Sequence, residues 1–392
     1  MLVETSGSNI DISFNMFKVK YLTLNNLFRK FNNLNISSVN LFINLESVIG
    51  PMYRESYEET LSTCTKNEFD DNNKCFISNV INLAAHYRAY FTKCRLSSNI
   101  IFYITDTFAD PRLLVNRINN PKYRKYFFDK YVYDDKFMRI NEIMNNGVSY
   151  AKTISDYIDR VFILTSSTLE ASVIPYLVKD EKVLKSDINF FLTKDKYDLQ
   201  YVNYNGIIIW PDKDESIILT KKNVMKFLRF KNDMDEANLR YEINPKLLSF
   251  MMAVLGNKKR NIEKIKGIGF KKLYKSLENL YLKDYIDDEI PSSLNYESLN
   301  ELIKEKQGFL PIDIREKIGF NYMTIDIERQ AKIVQGSEIA LIKDQLVNKF
   351  DNGSIKKLND KIFCDYPIQL QELRNYDKNS FMRNPFEDVQ FE

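Results

Sequence analysis

Short, mainly apolar runs alternate with longer charged segments along this chain. Runs of about four to eight apolar residues between polar ones are typical of strands buried in a sheet. Such runs occupy residues 39–43, 99–104, 160–164, 188–192, 206–210 and 216–219. A polar PDKDE turn joins the last two runs, which predicts a hairpin. The run at 160–164 is also compatible with the approach to a helix over residues 169–177.

Helical spacing of apolar positions predicts helices between these strands. We expect them over residues 77–93, 222–231 and 245–255, and also within the charged, aromatic and glycine-poor segment 112–150. Apolar strands that alternate with helices are typical of a mostly parallel sheet covered on both faces. The predicted fold class is therefore α/β.

Charge and cysteine content narrow the classes of function. The chain has 392 residues, with 56 Lys and Arg against 53 Asp and Glu, so a nucleic-acid surface must be a local patch. The single histidine, His86, lies in a predicted helix, which disfavours a His-based catalytic triad. The cysteines show no zinc-ligand spacing and are expected to be packing residues: Cys64, Cys75, Cys94 and Cys364.

The cysteine usage also bears on location. We expect an intracellular protein in a reducing compartment, either the cytoplasm or, if the protein is viral, the host cytoplasm. The N-terminus lacks the pattern of a signal peptide, and no apolar run approaches the length of a membrane span. A membrane partner is therefore not expected.

The most informative segment is GNKKRNIEKIKGIGFKKL, residues 256–273, which contains a Gly-Ile-Gly turn. Glycine tolerates a positive φ and leaves backbone N–H groups accessible, and a helix that begins after the turn directs its positive dipole end towards a phosphate. Residues 258–275 hold eight basic residues and one acid. This concentration favours a nucleic-acid contact over a solvated charged face. The expected contacts are Lys266, Gly267, Ile268, Gly269, Lys271 and Lys272.

A second basic segment, residues 112–139, combines eight basic residues and three acids with seven aromatic side chains. Cations beside aromatic faces suit single-stranded nucleic acid through phosphate contact and base stacking. The alternative is that the aromatic side chains belong to a core. Lys122, Tyr123 and Arg124 are the expected contacts.

Acidic residues follow several of the predicted strands. Asp106 and the turn at residues 193–198 come after two of them, and Glu170 lies near the start of a helix. Sites in parallel sheets form at the carboxyl ends of the strands. Acidic residues that converge there typically bind magnesium for phosphodiester hydrolysis.

The order of these segments resembles the structure-specific 5′ nuclease family, which includes flap endonucleases and the 5′→3′ exonuclease domain of bacterial DNA polymerase I. Residues 256–273 are similar to the family's G-D-x-S-D-N-I-P-G-V-x-G-I-G-x-K-x-A element, and FLTKDKYDLQYV to L-S-G-D-K-D-L-L-Q-L-V. The family's E-A-D-D-x-I helix is similar to LEASVI in this chain, and its first strand with an acid is similar to LFINLESV. The family's helical arch is similar to FYITD followed by NNPKYRKYF. The resemblance covers residues 39–280.

This resemblance implies a PIN-like 5′ nuclease fold with a helical arch for a 5′ single strand and a helix–three-turn–helix, or helix-hairpin-helix, for duplex DNA. It also implies a potassium ion at residues 267–269, and a role for Arg124 in steadying the scissile phosphate. We expect an N-terminal extension over residues 1–35 and a nuclease-like domain over 36–240 with its arch at about 107–150. The DNA-binding region then covers 241–300, and a segment of unknown role covers 301–392.

Only three of the family's nine acidic positions keep an acid here, namely Asp106, Glu170 and Asp195. The other six positions carry Asn44, Ser172, Val173, Tyr197, Asn257 and Arg260. Paired divalent ions about 4 Å apart need several carboxylates. We therefore expect Asp106, Glu170 and Asp195 to bind at most one Mg²⁺ or Mn²⁺, weakly. Substitution by Glu46, Asp187 or Asp198 would require a different backbone geometry.

Three functions follow as hypotheses. The first is a pseudo-nuclease that binds duplex or branched DNA in replication, repair or transcription. The second is an active magnesium-dependent 5′→3′ exonuclease or flap endonuclease, and the third is a protein-interaction subunit of a larger assembly. RNA, and proteins of replication or transcription, are further expected partners.

Overall fold

The computed structural model describes the segments from which the sheet and most of its covering helices are built. The described residues are 36–48, 80, 83–84, 87–105, 148, 152, 160–166, 169–211, 216–232, 245–256, 262, 264–274, 277, 317–319, 321–322, 325–334 and 336–346.

Six strands form one sheet in the order β3-β2-β1-β4-β5-β6. Pairing is parallel for β1 with β2, β1 with β4 and β2 with β3, and antiparallel for β5 with β6. The predicted α/β class, the mostly parallel sheet and the hairpin are confirmed. The strands are β1 Ser38–Asn44, β2 Ser97–Thr105, β3 Val161–Ser166, β4 Ile188–Leu192, β5 Gly206–Trp210 and β6 Ile217–Leu219.

Helices follow most strands, as expected for this class. Within the described residues, the α-helices include α1 Leu45–Val48, α2 Ile174–Val178, α3 Val224–Phe230, α4 Leu248–Leu255, α5 Ile327–Ile333 and α6 Gly336–Asp344. The 3-10 helices are Ala171–Val173, Lys182–Leu184, Lys196–Tyr204 and Pro245–Leu247. The turn predicted at residues 193–198 continues into the nine-residue 3-10 helix Lys196–Tyr204. Asn205 follows this helix as its C-cap and has a left-handed φ of 59°.

The chain divides into two compact units. The β1–β4 unit comprises Phe31–Leu114, Phe127–Leu192 and Gln335–Glu392. The β5–β6 unit comprises Met1–Lys30, Val115–Tyr126 and Thr193–Val334. The domain boundaries drawn from the sequence stay predictions.

A buried asparagine ladder crosses three strands of the β1–β4 unit. Asn40 of β1 pairs in register with Asn99 of β2 and Asn189 of β4. The side-chain amide of Asn99 donates to Asn40 Oδ1 at 2.8 Å, and that of Asn40 donates to Asn189 Oδ1 at 2.8 Å. A one-residue slip would break both bonds, so the ladder fixes the register of the sheet.

A buried glutamine organises the β5–β6 unit. The amide nitrogen of Gln200 donates to the carbonyl oxygens of Tyr197 and Ile325, each at 3.1 Å. Its oxygen accepts from the Ser249 hydroxyl at 2.7 Å and from the N–H of Ile327 at 3.3 Å. Part of the C-terminal segment, for which the sequence offers no match, is thereby joined to the core of this unit.

Candidate nucleic-acid interface and carboxylate positions

The Gly-Ile-Gly segment of the β5–β6 unit is a turn that leads into a helix. Ile265 donates its N–H to Val254 of α4 at 2.8 Å, which attaches the segment to that helix. Ile268 then donates back to the carbonyl of Ile265 at 3.3 Å, closing the turn. Leu273 donates to the carbonyl of Gly269 at 2.9 Å, so helical bonding starts directly after the glycines, as predicted.

Over residues 264–274, which we call the basic hairpin, three apolar side chains are buried and four lysines are exposed. Ile265, Leu273 and Tyr274 are buried. The exposed basic side chains are Lys264, Lys266, Lys271 and Lys272. None of these four lysines forms an ion pair with another described residue. Their positive charge therefore faces solvent without an acidic neighbour in the described part of the chain.

The two glycines of the basic hairpin differ in what they require. Gly267 has a φ of +78°, a conformation that favours glycine, whereas Gly269 does not. A Cβ atom added to either glycine meets nothing within 4 Å. Open space thus surrounds the backbone of the turn, and another molecule has room to approach it closely. The potassium ion expected at this turn stays a prediction.

In the β1–β4 unit, the residue before Glu170 is Leu169, and both of its backbone polar groups are hydrogen-bonded. The Thr105 hydroxyl donates to the carbonyl of Leu169 at 3.1 Å, and the N–H of Leu169 donates to Ser166 Oγ at 3.0 Å. These bonds connect the last residues of β2 and β3 to the start of the 3-10 helix that Glu170 precedes. Asp106, the next residue after β2, lies outside the described residues.

Glu338 of α6 contributes a carboxylate near the same end of β3, and no pattern in the sequence predicts it. Its Oε1 accepts from the Ser166 hydroxyl at 2.6 Å. No motif surrounds Glu338, and 172 residues separate it from Ser166. Only the fold brings them together, so no signal in the sequence could have found this contact.

Three of the substituted acidic positions of the β1–β4 unit have structural roles. Asn44 Oδ1 accepts from the N–H of Ser47 at 3.0 Å and so caps α1. Ser172 and Val173 are both fully buried. An amide that caps a helix and an apolar buried side chain do not replace the negative charge that a divalent cation prefers.

Asp195 and Asp198 belong to the β5–β6 unit and serve the 3-10 helix that follows β4. Asp195 Oδ1 accepts from the N–H of Tyr197 at 2.9 Å, which makes it the N-cap. Asp198 is fully buried, and its Oδ2 accepts from the Thr193 hydroxyl at 2.6 Å. The burial of Asp198 disfavours it as a replacement ligand.

Asp187 lies at the opposite end of the strands from the candidate site. Its Oδ2 accepts from the N–H groups of Ser37 and Ser38 at 2.8 and 2.9 Å, just before β1 begins, and also from both hydroxyls. Burial raises the pKa of the Asp187 carboxyl, but these hydrogen bonds outweigh it and hold the pKa below its ordinary value. Asp187 is therefore not placed to substitute for an acid at the carboxyl ends of the strands.

The remaining predicted contacts cannot be placed. Lys122, Tyr123 and Arg124 lie outside the described residues.

Within the residues that are described, no three of His, Cys, Asp and Glu lie together as a metal site would require. The same residues include no helix that is long and apolar enough to span a membrane.

Comparison with known proteins gives one significant sequence relative and several structural ones. DNA polymerase I of Borreliella burgdorferi is 28% identical over 189 residues, covering 46% of this chain and 19% of the polymerase. A zinc-bound bacteriophage T5 5′-exonuclease is 11% identical with a TM-score of 0.49, and the match covers 79% of this chain and 99% of the exonuclease chain. A T5 flap endonuclease, in a pseudo-enzyme–product complex with DNA and metal ions, is 13% identical with a TM-score of 0.44. The match covers 79% of this chain and 98% of the endonuclease chain.

The chain is similar to 5′ nucleases. The sequence match to the polymerase supports the resemblance stated from the sequence motifs. No protein-family profile matches the chain. The match to the polymerase spans about a fifth of that protein's length, and 5′ nuclease similarity by itself leaves the activity of this chain open.

Proposed function

We propose that this 5′ nuclease-like protein binds duplex or branched DNA through the basic hairpin and has lost most or all catalytic activity. The observation that carries the proposal is the separation of side chains along residues 264–274. Four exposed lysines surround a turn whose glycine backbone is open to close approach. Both features suit a phosphate backbone, because lysine side chains and accessible backbone N–H groups both contact phosphate oxygens.

The chemistry of the available donors supports the loss of catalysis. Asn44 provides a neutral amide that already caps α1, and Val173 provides no ligand atom at all. Asp195 is engaged as an N-cap. These residues do not fit a pair of divalent ions, whose mutual repulsion several carboxylates must offset.

A working 5′ nuclease is the second candidate, and one contact favours it. The bond from Thr105 to Leu169 holds together the two chain positions that immediately precede Asp106 and Glu170. When bound there, a single Mg²⁺ or Mn²⁺ would supply Lewis-acid chemistry. The contribution of Lys122, Tyr123 and Arg124 to a 5′ single-stranded branch also stays a prediction.

Salt dependence of DNA binding tests the proposal. Each phosphate contact contributes about 0.9 to the slope of log K against log salt concentration. The variant Lys271→Ala/Lys272→Ala is expected to bind a labelled duplex more weakly and with a slope lower by about 2. The matched control is Lys182→Ala/Lys185→Ala, which removes two exposed lysines of the β1–β4 unit. Equal slopes for the wild type and both variants would contradict the proposal.

A further inference from the structure

Helix α3 and its flanking residues carry a concentration of positive charge that the motifs leave unexplained. Residues 220–231 contain five basic residues and no acid. Lys221, Lys222 and Lys231 are exposed, and Lys226 is half-buried. A solvated face of a helix commonly mixes both signs of charge, so a segment without any acid is typical of a surface that meets a polyanion.

One contact joins this segment to the basic hairpin. The Arg229 guanidinium lies 5.7 Å from the centre of the Tyr274 ring, within the range of a cation–π interaction. Both side chains are buried, with Arg229 at 6% exposure and Tyr274 at 0%. Burial makes the contact a fixed feature of the β5–β6 unit, because neither side chain has room to swing into solvent.

Helical periodicity then places two lysines beside that contact. Lys226 precedes Arg229 by three residues in α3, and Lys271 precedes Tyr274 by three residues in the helix of the hairpin. Residues three apart on a helix are neighbours, with Cβ atoms about 5–6 Å apart. Lys226 and Lys271 therefore both flank the Arg229–Tyr274 contact, from different helices. The lysines of α3 and those of the hairpin are therefore carried by two helices that share a buried contact.

We propose that α3 is a second phosphate-binding surface, which extends the hairpin contact along the same DNA duplex. The proposal rests on the proposed function, because the hairpin is taken to bind DNA. Duplex DNA carries one negative charge about every 1.7 Å along its axis, so a surface that spans two helices meets several phosphates at once. Lys221 and Lys226 supply the added contacts, and Arg229 keeps the two helices together by its contact with Tyr274.

The alternative is that the lysines of α3 only keep the surface soluble. The two cases differ in salt dependence, since a lysine that displaces counterions from DNA changes the slope and a solvated lysine does not. The affinity at one salt concentration would not separate them, because any loss of positive charge weakens attraction to DNA at long range.

The experiment compares three double variants of the full chain by fluorescence anisotropy of a labelled duplex, between about 50 and 200 mM salt. Lys221→Ala/Lys226→Ala tests α3, Lys271→Ala/Lys272→Ala tests the hairpin, and Lys182→Ala/Lys185→Ala is the charge-matched control. We expect the first two variants each to lower the slope by about 2, and the control to leave it unchanged. Lys226→Arg conserves the charge and should retain the wild-type slope.

The outcomes separate this inference from the proposed function. A flatter slope for the hairpin variant alone, with the α3 variant equal to the control, would overturn the inference and leave the proposed function standing. Equal slopes for all three variants would contradict both. A loss of slope in Lys226→Arg as large as in the alanine variant would also overturn the inference, because charge would then not be the cause.

Discussion

The side-chain amide of Gln345 pairs with both backbone hydrogen-bonding groups of Thr165. Gln345 Oε1 accepts from the N–H of Thr165 at 2.9 Å, and Nε2 donates to its carbonyl at 2.9 Å. Thr165 lies in β3, which is the last strand at its edge of the sheet. At this residue the glutamine satisfies the two groups that a neighbouring strand would otherwise bind. The part of the C-terminal segment that contains α6 and Gln345 therefore belongs to the β1–β4 unit.

Replacing this glutamine by an apolar residue of similar size should destabilise the protein. We expect Gln345→Leu to lower the free energy of unfolding by about 2 kcal/mol, because the N–H and C=O of Thr165 lose their partner. Urea denaturation measures the change. Leu341→Ala in α6, the helix that ends just before Gln345, is the control, since Leu341 is 61% exposed and its truncation should have little effect. A loss no larger than that of the control would contradict the role given to Gln345.

Gln200 should be still more sensitive, because it is buried and makes four hydrogen bonds. Gln200→Leu leaves the Ser249 hydroxyl and the Ile327 N–H without their acceptor, and we expect a loss of about 3 kcal/mol in urea denaturation. Gln200→Glu retains the acceptors and removes the donors, so it should also destabilise. Wild-type stability in the leucine variant would show that residues 325–327 are held by other contacts.

Asp187 should make stability depend on pH in the acid range. Its pKa is lowered in the folded protein, so its contribution is present above the unfolded value of about 4 and is lost as pH falls through the folded pKa. Because Asp187 is exposed and its charge is screened by solvent, we expect Asp187→Asn to be less stable than wild type at pH 7 by less than about 1 kcal/mol, with the difference shrinking below about pH 4.

Thermal or urea denaturation over a pH series measures this difference. Asp344→Asn is the control, because it removes an exposed carboxylate elsewhere in the β1–β4 unit. A difference between wild type and Asp187→Asn that stays constant from pH 7 to pH 3 would rule out a role for the lowered pKa.

Alanine substitutions at the two glycines of the basic hairpin should differ in their effects on the stability of the protein and on duplex binding. Gly267→Ala strains a φ of +78° and should lower stability by about 1 kcal/mol. Gly269→Ala meets no atom within 4 Å and has no such strain, so its stability should be close to wild type. If a phosphate approaches this backbone closely, however, the added methyl group should weaken duplex binding. Unchanged binding by Gly269→Ala would argue against a close approach at that residue.

Local patterns in the sequence predict the sheet and the basic hairpin well. Apolar runs such as residues 39–43 become strands because a strand buried on both faces needs apolar residues at successive positions. The Gly-Ile-Gly turn is predictable because Gly267 takes a conformation that few other residues adopt. In both cases a few neighbouring residues determine the structure.

Contacts between distant segments were not predictable. Nothing near Glu338 or Gln345 indicates that α6 contacts β3, and a long separation in sequence removes any periodic signal. Asp187 failed as a substitute acid for a related reason. It is close in sequence to the candidate residues after β4 but precedes that strand, and a strand places its two ends far apart.

Incubation of the purified protein with a labelled 5′-flap duplex and Mg²⁺ or Mn²⁺ tests the central claim most directly. We predict that the protein retains the flap substrate in a salt-sensitive complex and leaves it intact, or cleaves it so slowly that Asp195→Ala and Glu170→Ala change the rate little. Efficient cleavage that either substitution abolishes would contradict the account, because it would show that the remaining acids still support hydrolysis.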